Sequence, residues 1–114
     1  MTATADADEV YNMVKALDQA FDVYKDATKV TGRWNVNAAG TTPAGAPFHE
    51  GAVRYLTEIG VWTDKDTAWN DARIARISAV QEAWDAALNQ ADEEGISGKD
   101  WPAFWETYRA ENLD

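Results

Sequence analysis

No cysteine occurs among the 114 residues, so no disulfide can brace the chain and no thiolate can hold a metal. A single histidine, His49, rules out any site that needs two imidazoles. Basic residues are scarce: ten against twenty acidic ones, a net charge of -10 that argues against nucleic acid and anionic lipid as partners. Long apolar runs are absent too. None approaches the roughly 18 residues of a membrane span, so no direct membrane insertion is expected. The opening MTATADADEV lacks the basic and apolar regions of a signal peptide. That reading places the chain in the cytoplasm if this is the whole native product, and leaves the compartment open if a leader has been removed.

Against these absences stand an apolar fraction of 46% and six tryptophans, the composition of a packed protein. The length fits one helical domain over residues 1–114, able to bury about two-thirds of its unfolded surface. Acidity is uneven. Residues 82–114 carry nine acids and two bases, which reads as a solvated acidic face.

The organising stretch is Asp64 to Glu94, with no glycine or proline and many alanines. As one helix it would span about 46 Å. Trp69, Ile77, Val80, Trp84, Ala87, Leu88 and Ala91 fall on one side of it. Thr63 or Asp64 can cap its start, and Gly95 suits a left-handed cap at its end. Upstream, Asp6 and Glu9 have capping-box spacing, and a stripe of Val10, Met13, Val14, Leu17, Phe21 and Tyr24 predicts a helix from Ala7 to about Thr28. On that wheel Asp18 and Asp22 lie largely off the stripe. A second, short helix is expected from Phe48 to Gly60, with Gly51 allowing another backbone to come close. The fourth runs from Gly98 to about Asn112 with a mostly aromatic face of Trp101, Phe104, Trp105 and Tyr108.

The expected fold is therefore all-α: four helices, a long central one at about 64–94, and a long ordered connector at about 29–47. No second strand accompanies the brief alternation at Trp34 and Val36, so no sheet is expected. The connector is too long to be structureless inside a compact domain, and Trp34 is expected to pin it.

Chemistry is hard to find. His49 begins HEGAV, which lacks the second histidine of a zinc protease. No serine sits in a nucleophile elbow, and the glycines form no phosphate loop. Asp92, Glu93 and Glu94 lack the alternating pattern of a calcium loop. No catalytic residue, metal or cofactor is therefore assigned, and an enzyme is not expected. His49 reads first as a structural or capping residue, and second as a polar group beside a cleft. Trp34, Trp62 and Trp69 flank the connector and the start of the long helix, where with His49 they could border an aromatic pocket for a small organic solute. Trp101 and Trp105 form an aromatic edge suited to a homodimer.

One segment carries a family resemblance. PFHEGAVRYLTEIGVW, residues 47–62, resembles the last conserved stretch of the TAXI solute-binding proteins of TRAP transporters, which reads HPGAxxYYxExG. The matching positions are His49, Gly51, Ala52, Tyr55, Glu58 and Gly60. Glu50 stands where the family has proline, and Leu56 where it has a second aromatic. The upstream EVYNMVKALDQAFD, residues 9–22, is similar to the family's preceding helix, and residues 64–112 look like the helical extension of some members. Such receptors are periplasmic, two-lobed and about three times this length. The resemblance implies a non-enzymatic helical domain related to a receptor's C-terminal part, acting in solute binding, transport or protein interaction. It also implies receptor lobes or a TRAP membrane subunit as partners, while Tyr55 joins His49 as a candidate cleft residue of this chain. The alternatives are a free-standing small-molecule module with an aromatic pocket, or a purely structural homodimeric protein.

Overall fold

The computed structural model describes residues 2–114, and the fold is all-α, with no strand among the described residues. Six α-helices follow in order: α1 (Ala7–Gln19), α2 (Phe21–Tyr24), α3 (Val36–Ala39), α4 (Glu50–Glu58), α5 (Asp64–Glu94) and α6 (Trp101–Asn112). A 3-10 turn at Thr31–Trp34 precedes α3. No described helix is long and apolar enough to cross a membrane. Two compact units are present, Met1–Ala72 and Arg73–Asp114, and α5 contributes to both.

In the first unit α1 packs on α4. Asp6 caps α1, its Oδ1 accepting the Asp8 and Glu9 amides at 3.0 Å each, which places acids at the positive end of the helix dipole. Val10, Tyr55 and Leu56 are almost fully buried. The close approach depends on Gly51. A Cβ there would lie 2.9 Å from both the Tyr11 amide nitrogen and the Val10 Cβ, and closer still to the Ala7 carbonyl.

The first helix does not run on to Thr28. It breaks at Ala20, beyond which α2 makes a single turn. Neither glycine nor proline marks the break. The Tyr24 phenol donates to the Leu17 carbonyl at 2.8 Å, and buried Thr31 gathers the chain after α2. Its hydroxyl donates to the Lys25 carbonyl at 2.7 Å and accepts the Thr28 amide at 3.2 Å. These contacts come from outside the helix, so its own periodicity carries no sign of them.

The connector is ordered, as expected, but it contains secondary structure: the 3-10 turn and α3, whose N-cap Asn35 accepts the Asn37 amide at 2.8 Å. Its far end is held by Asn70 of α5. This buried amide accepts the Phe48 N–H at 2.7 Å and donates to the Phe48 carbonyl at 3.2 Å, pairing with the backbone as a neighbouring strand would. The helix expected from Phe48 starts two residues later for this reason. Phe48 is spent on Asn70, and His49 becomes the cap.

The long helix has the bounds read from the sequence. Thr63 and Asp66 satisfy each other at its start: the Thr63 N–H and hydroxyl donate to Asp66 at 2.9 and 2.8 Å. The Thr42 hydroxyl also donates to this carboxylate, and the hydrogen bonds from Thr42 and then Thr63 hold Asp66 below the usual aspartate range. At the far end Gly95 adopts φ 69°, and the Ile96 amide reaches back to the Ala91 carbonyl at 2.9 Å.

In the second unit Trp84 of α5 meets two rings of α6 edge-on, Trp101 and Trp105, each at 4.9 Å between centroids. Those two rings stack 6.2 Å apart, and Trp105 stacks on Tyr108 at 6.3 Å. The aromatic edge read as suited to a homodimer thus packs on Trp84 within the chain. Ser97 and Asp100 have capping-box spacing, yet neither side chain caps α6. The Ser97 hydroxyl donates to the Asp100 carboxylate at 2.8 Å, closing a turn, and the helix begins at Trp101.

Candidate functional site

The first unit holds a cavity of about 200 Å³. Val14, Leu17 and Asp18 of α1 form one wall, Ala52 and Leu56 of α4 another, and Trp34, Val36, Ala39, Gly40 and Phe48 of the connector complete it. Each wall has a sequence reason. Val14 and Asp18 are one turn apart and share the face that meets α4. Gly40 lies against Leu56: a Cβ there would come within 2.6 Å of a Leu56 methyl, so a side chain at 40 would push the connector off α4. Leu17 and Trp34 are 49% and 58% exposed and stand at the mouth.

The lining is apolar except for Asp18. Its Oδ2 accepts the Tyr55 hydroxyl at 2.5 Å across the α1–α4 seam. That hydrogen bond, with burial and the carboxylate's charge adding to it, pushes the Tyr55 phenol up to about 12. Two further links brace the seam. Tyr11 donates to Glu58, which raises the Tyr11 phenol, and Arg54 pairs with Asp8 at 2.7 Å while lying 4.1 Å above the Tyr11 ring. The Tyr11 and Tyr55 rings meet edge-on at 5.7 Å.

Of the residues expected around a cleft, only Trp34 lines this cavity. His49 caps α4 instead. Its Nδ1 accepts the Gly51 amide at 3.1 Å, so the ring hydrogen sits on Nε2, which donates to the Ala5 carbonyl at 2.9 Å. Tyr55 is buried one layer behind the cavity and acts on it through Asp18. Trp62 is buried, its indole N–H on the Thr67 hydroxyl at 2.9 Å and its ring edge-on to Phe48 at 5.1 Å. Trp69 is half-buried on α5 and does not line the cavity. Trp101 and Trp105 belong to the second unit.

Asp18 is the residue that the helical wheel put on the wrong side. The signal was present, since Asp18 follows Val14 by four residues and Tyr11 by seven, both on the buried face. The remaining lining residues could not be grouped locally, because they come from three segments.

The arrangement offers a concave apolar surface, one carboxylate and a rim indole. It has no nucleophile–base pair, and no group of three histidine or acidic side chains among the described residues is placed to hold a metal ion. Such a site can hold a small molecule. Comparison with known proteins points the same way. The model of the NMT1-like family matches residues 1–60, which take in α1 to α4 and every residue lining the cavity, while α5 and α6 lie beyond the match. No curated protein and no solved structure matches the chain. With more than half its length matched, the chain belongs to the NMT1-like family, a family of solute-binding, periplasmic-binding-type proteins rather than enzymes.

Proposed function

We propose that this chain acts by holding a small, mostly apolar organic solute in the α1–α4 cavity, as the C-terminal helical part of a TAXI-type receptor of TRAP transport. One observation carries the reading: the cavity is built wholly from the 60 residues that match a solute-binding family. Its volume, about 200 Å³, is somewhat larger than the roughly 150 Å³ that accommodates benzene in a dry protein cavity. The solute is therefore of single-ring or branched-aliphatic size. The TAXI assignment draws its support from the match of His49, Gly51, Ala52, Tyr55, Glu58 and Gly60 to that family's final motif. Receptor lobes and a TRAP membrane subunit are the partners this assignment brings with it. Residues 1–114 act as one domain on this reading, because α5 passes unbroken from one unit into the other.

The test is a titration with a panel of small organic metabolites, read by tryptophan emission and by NMR shifts of the Leu17, Val36 and Leu56 methyls. Binders should shift the methyl signals in the intact protein. They should lose at least about tenfold in affinity in Ala39→Phe, which puts a ring into the cavity from an exposed position. A panel that leaves all three methyl pairs unmoved, or binders indifferent to Ala39→Phe, would remove the cavity as the site.

A further inference from the structure

The cavity's charge pattern bears on what it takes. Asp18 is the only ionisable side chain in the lining, which holds no lysine, arginine or histidine. One carboxylate oxygen, Oδ2, is committed to Tyr55, which leaves Oδ1 as an acceptor. The guanidinium nearest in this seam, Arg54, is engaged with Asp8 and the Tyr11 ring, and the Lys15 ammonium lies 5.7 Å from that same ring. Neither belongs to the lining. A solute that enters this lining therefore meets one carboxylate and no lining cation.

A carboxylate solute would bring a second negative charge to an apolar wall with no cation to receive it. A neutral solute would use Oδ1 only through an ordinary hydrogen bond. A cationic donor would form a charge-assisted one and could also lie against the electron-rich face of Trp34 at the mouth. The overall charge of -10 draws cations toward the protein as well.

We infer that the solute is a compact amine: a primary or secondary ammonium seated on Asp18 Oδ1, joined to a single-ring or branched-aliphatic body packed among Leu17, Val36, Phe48 and Leu56. This inference rests on the cavity being the binding site, and three probes of one shape separate the two claims. Benzylamine, benzyl alcohol and benzoate are titrated into the protein at neutral pH and read by the Leu17, Val36 and Leu56 methyl shifts.

The expected order is benzylamine tighter than benzyl alcohol by about tenfold, with benzoate weakest. Asp18→Asn, which keeps an acceptor for Tyr55, should bring benzylamine to the level of the alcohol. Equal affinity for amine and alcohol, or a preference for benzoate, would overturn the solute class while leaving the cavity as a binding site. No methyl shift with any of the three would remove the site and the class together. An amine preference that survives Asp18→Asn would place the recognising charge elsewhere and overturn the assignment to Asp18.

Discussion

A Cβ added at Gly51 would press on three parts of α1 at once: the Ala7 carbonyl, the Tyr11 amide and the Val10 side chain. Two of these are backbone atoms and cannot swing aside, so either α1 or α4 must move. Gly51→Ala is expected to destabilise the protein by about 3 kcal/mol, at the high end for overpacking. Gly45 is the matched control. Nothing lies within 4 Å of its added Cβ, so Gly45→Ala should stay within about 0.5 kcal/mol of the parent in urea unfolding. Equal midpoints for the two variants would mean that Gly51 does not set the α1–α4 distance.

Tyr55 gives this seam a pH signature. Its hydrogen bond to Asp18, chiefly, raises the phenol from 10.0 to about 12, so the folded state holds this proton more tightly than the unfolded one. The stability it contributes is complete below the unfolded value and is lost as the pH rises from 10.0 through about 12. Urea midpoints of the parent and of Tyr55→Phe should therefore differ by a constant gap up to about pH 10 and converge above it. The comparison cancels the lysines and the other tyrosines, which titrate in both proteins. A gap unchanged across the alkaline range would show that Asp18 does not hold the phenol proton.

At the scale of elements, α5 and α6 meet through a few rings. Trp84 is the aromatic that α5 offers to α6, and both Trp101 and Trp105 turn an edge-on contact toward it. Because Trp84 is half-buried, Trp84→Ala should cost about 2–3 kcal/mol, less than a fully buried tryptophan. The loss should be local. Amide exchange in α6 should quicken by one to two orders of magnitude, whereas α1 and α4, in the other unit, keep their protection. Uniform acceleration in both units would contradict this division.

These elements also show what a sequence can disclose. The ends of α5 were legible because both are written in local chemistry: Thr63 with Asp66 at the start, Gly95 at φ 69° at the end. Gly51's close approach and the cap role of His49 were legible for the same reason. The break at Ala20 was not, since Tyr24 and Thr31 stabilise it by contacts the helix's own pattern does not encode. Nor was the grip of Asn70 on Phe48, a pairing across 22 residues by a side chain that looks unremarkable in the helical pattern. The cavity needs that grip to hold its connector wall in place, so its walls could not be assembled from periodicity.

At the scale of the whole molecule the remaining proposal is self-association. Trp101 and Trp105 pack on Trp84 within the chain, and we propose a seam on another face of the second unit. Ile74, Ile77 and Leu88 of α5 are 46%, 52% and 41% exposed and lie within about 60° of one another around the helix. A second copy can cover them through a two-fold axis, with the two α5 helices antiparallel. A parallel pair would set the acidic end, Asp92 to Glu94, against its own copy, which the antiparallel one avoids. Two chains of -10 still repel at long range, and three ridge residues supply little area against the roughly 1,000 Å² a stable pair needs. Association should therefore be weak and should strengthen as salt shortens the range of that repulsion. Light scattering is expected to give 12.6 kDa at low salt and a mass moving toward twice that value at high salt and high protein concentration. Leu88→Lys should hold the protein at 12.6 kDa throughout. A parent chain that stays at this mass under every condition has no such seam, and a dimer indifferent to Leu88→Lys pairs through some other face.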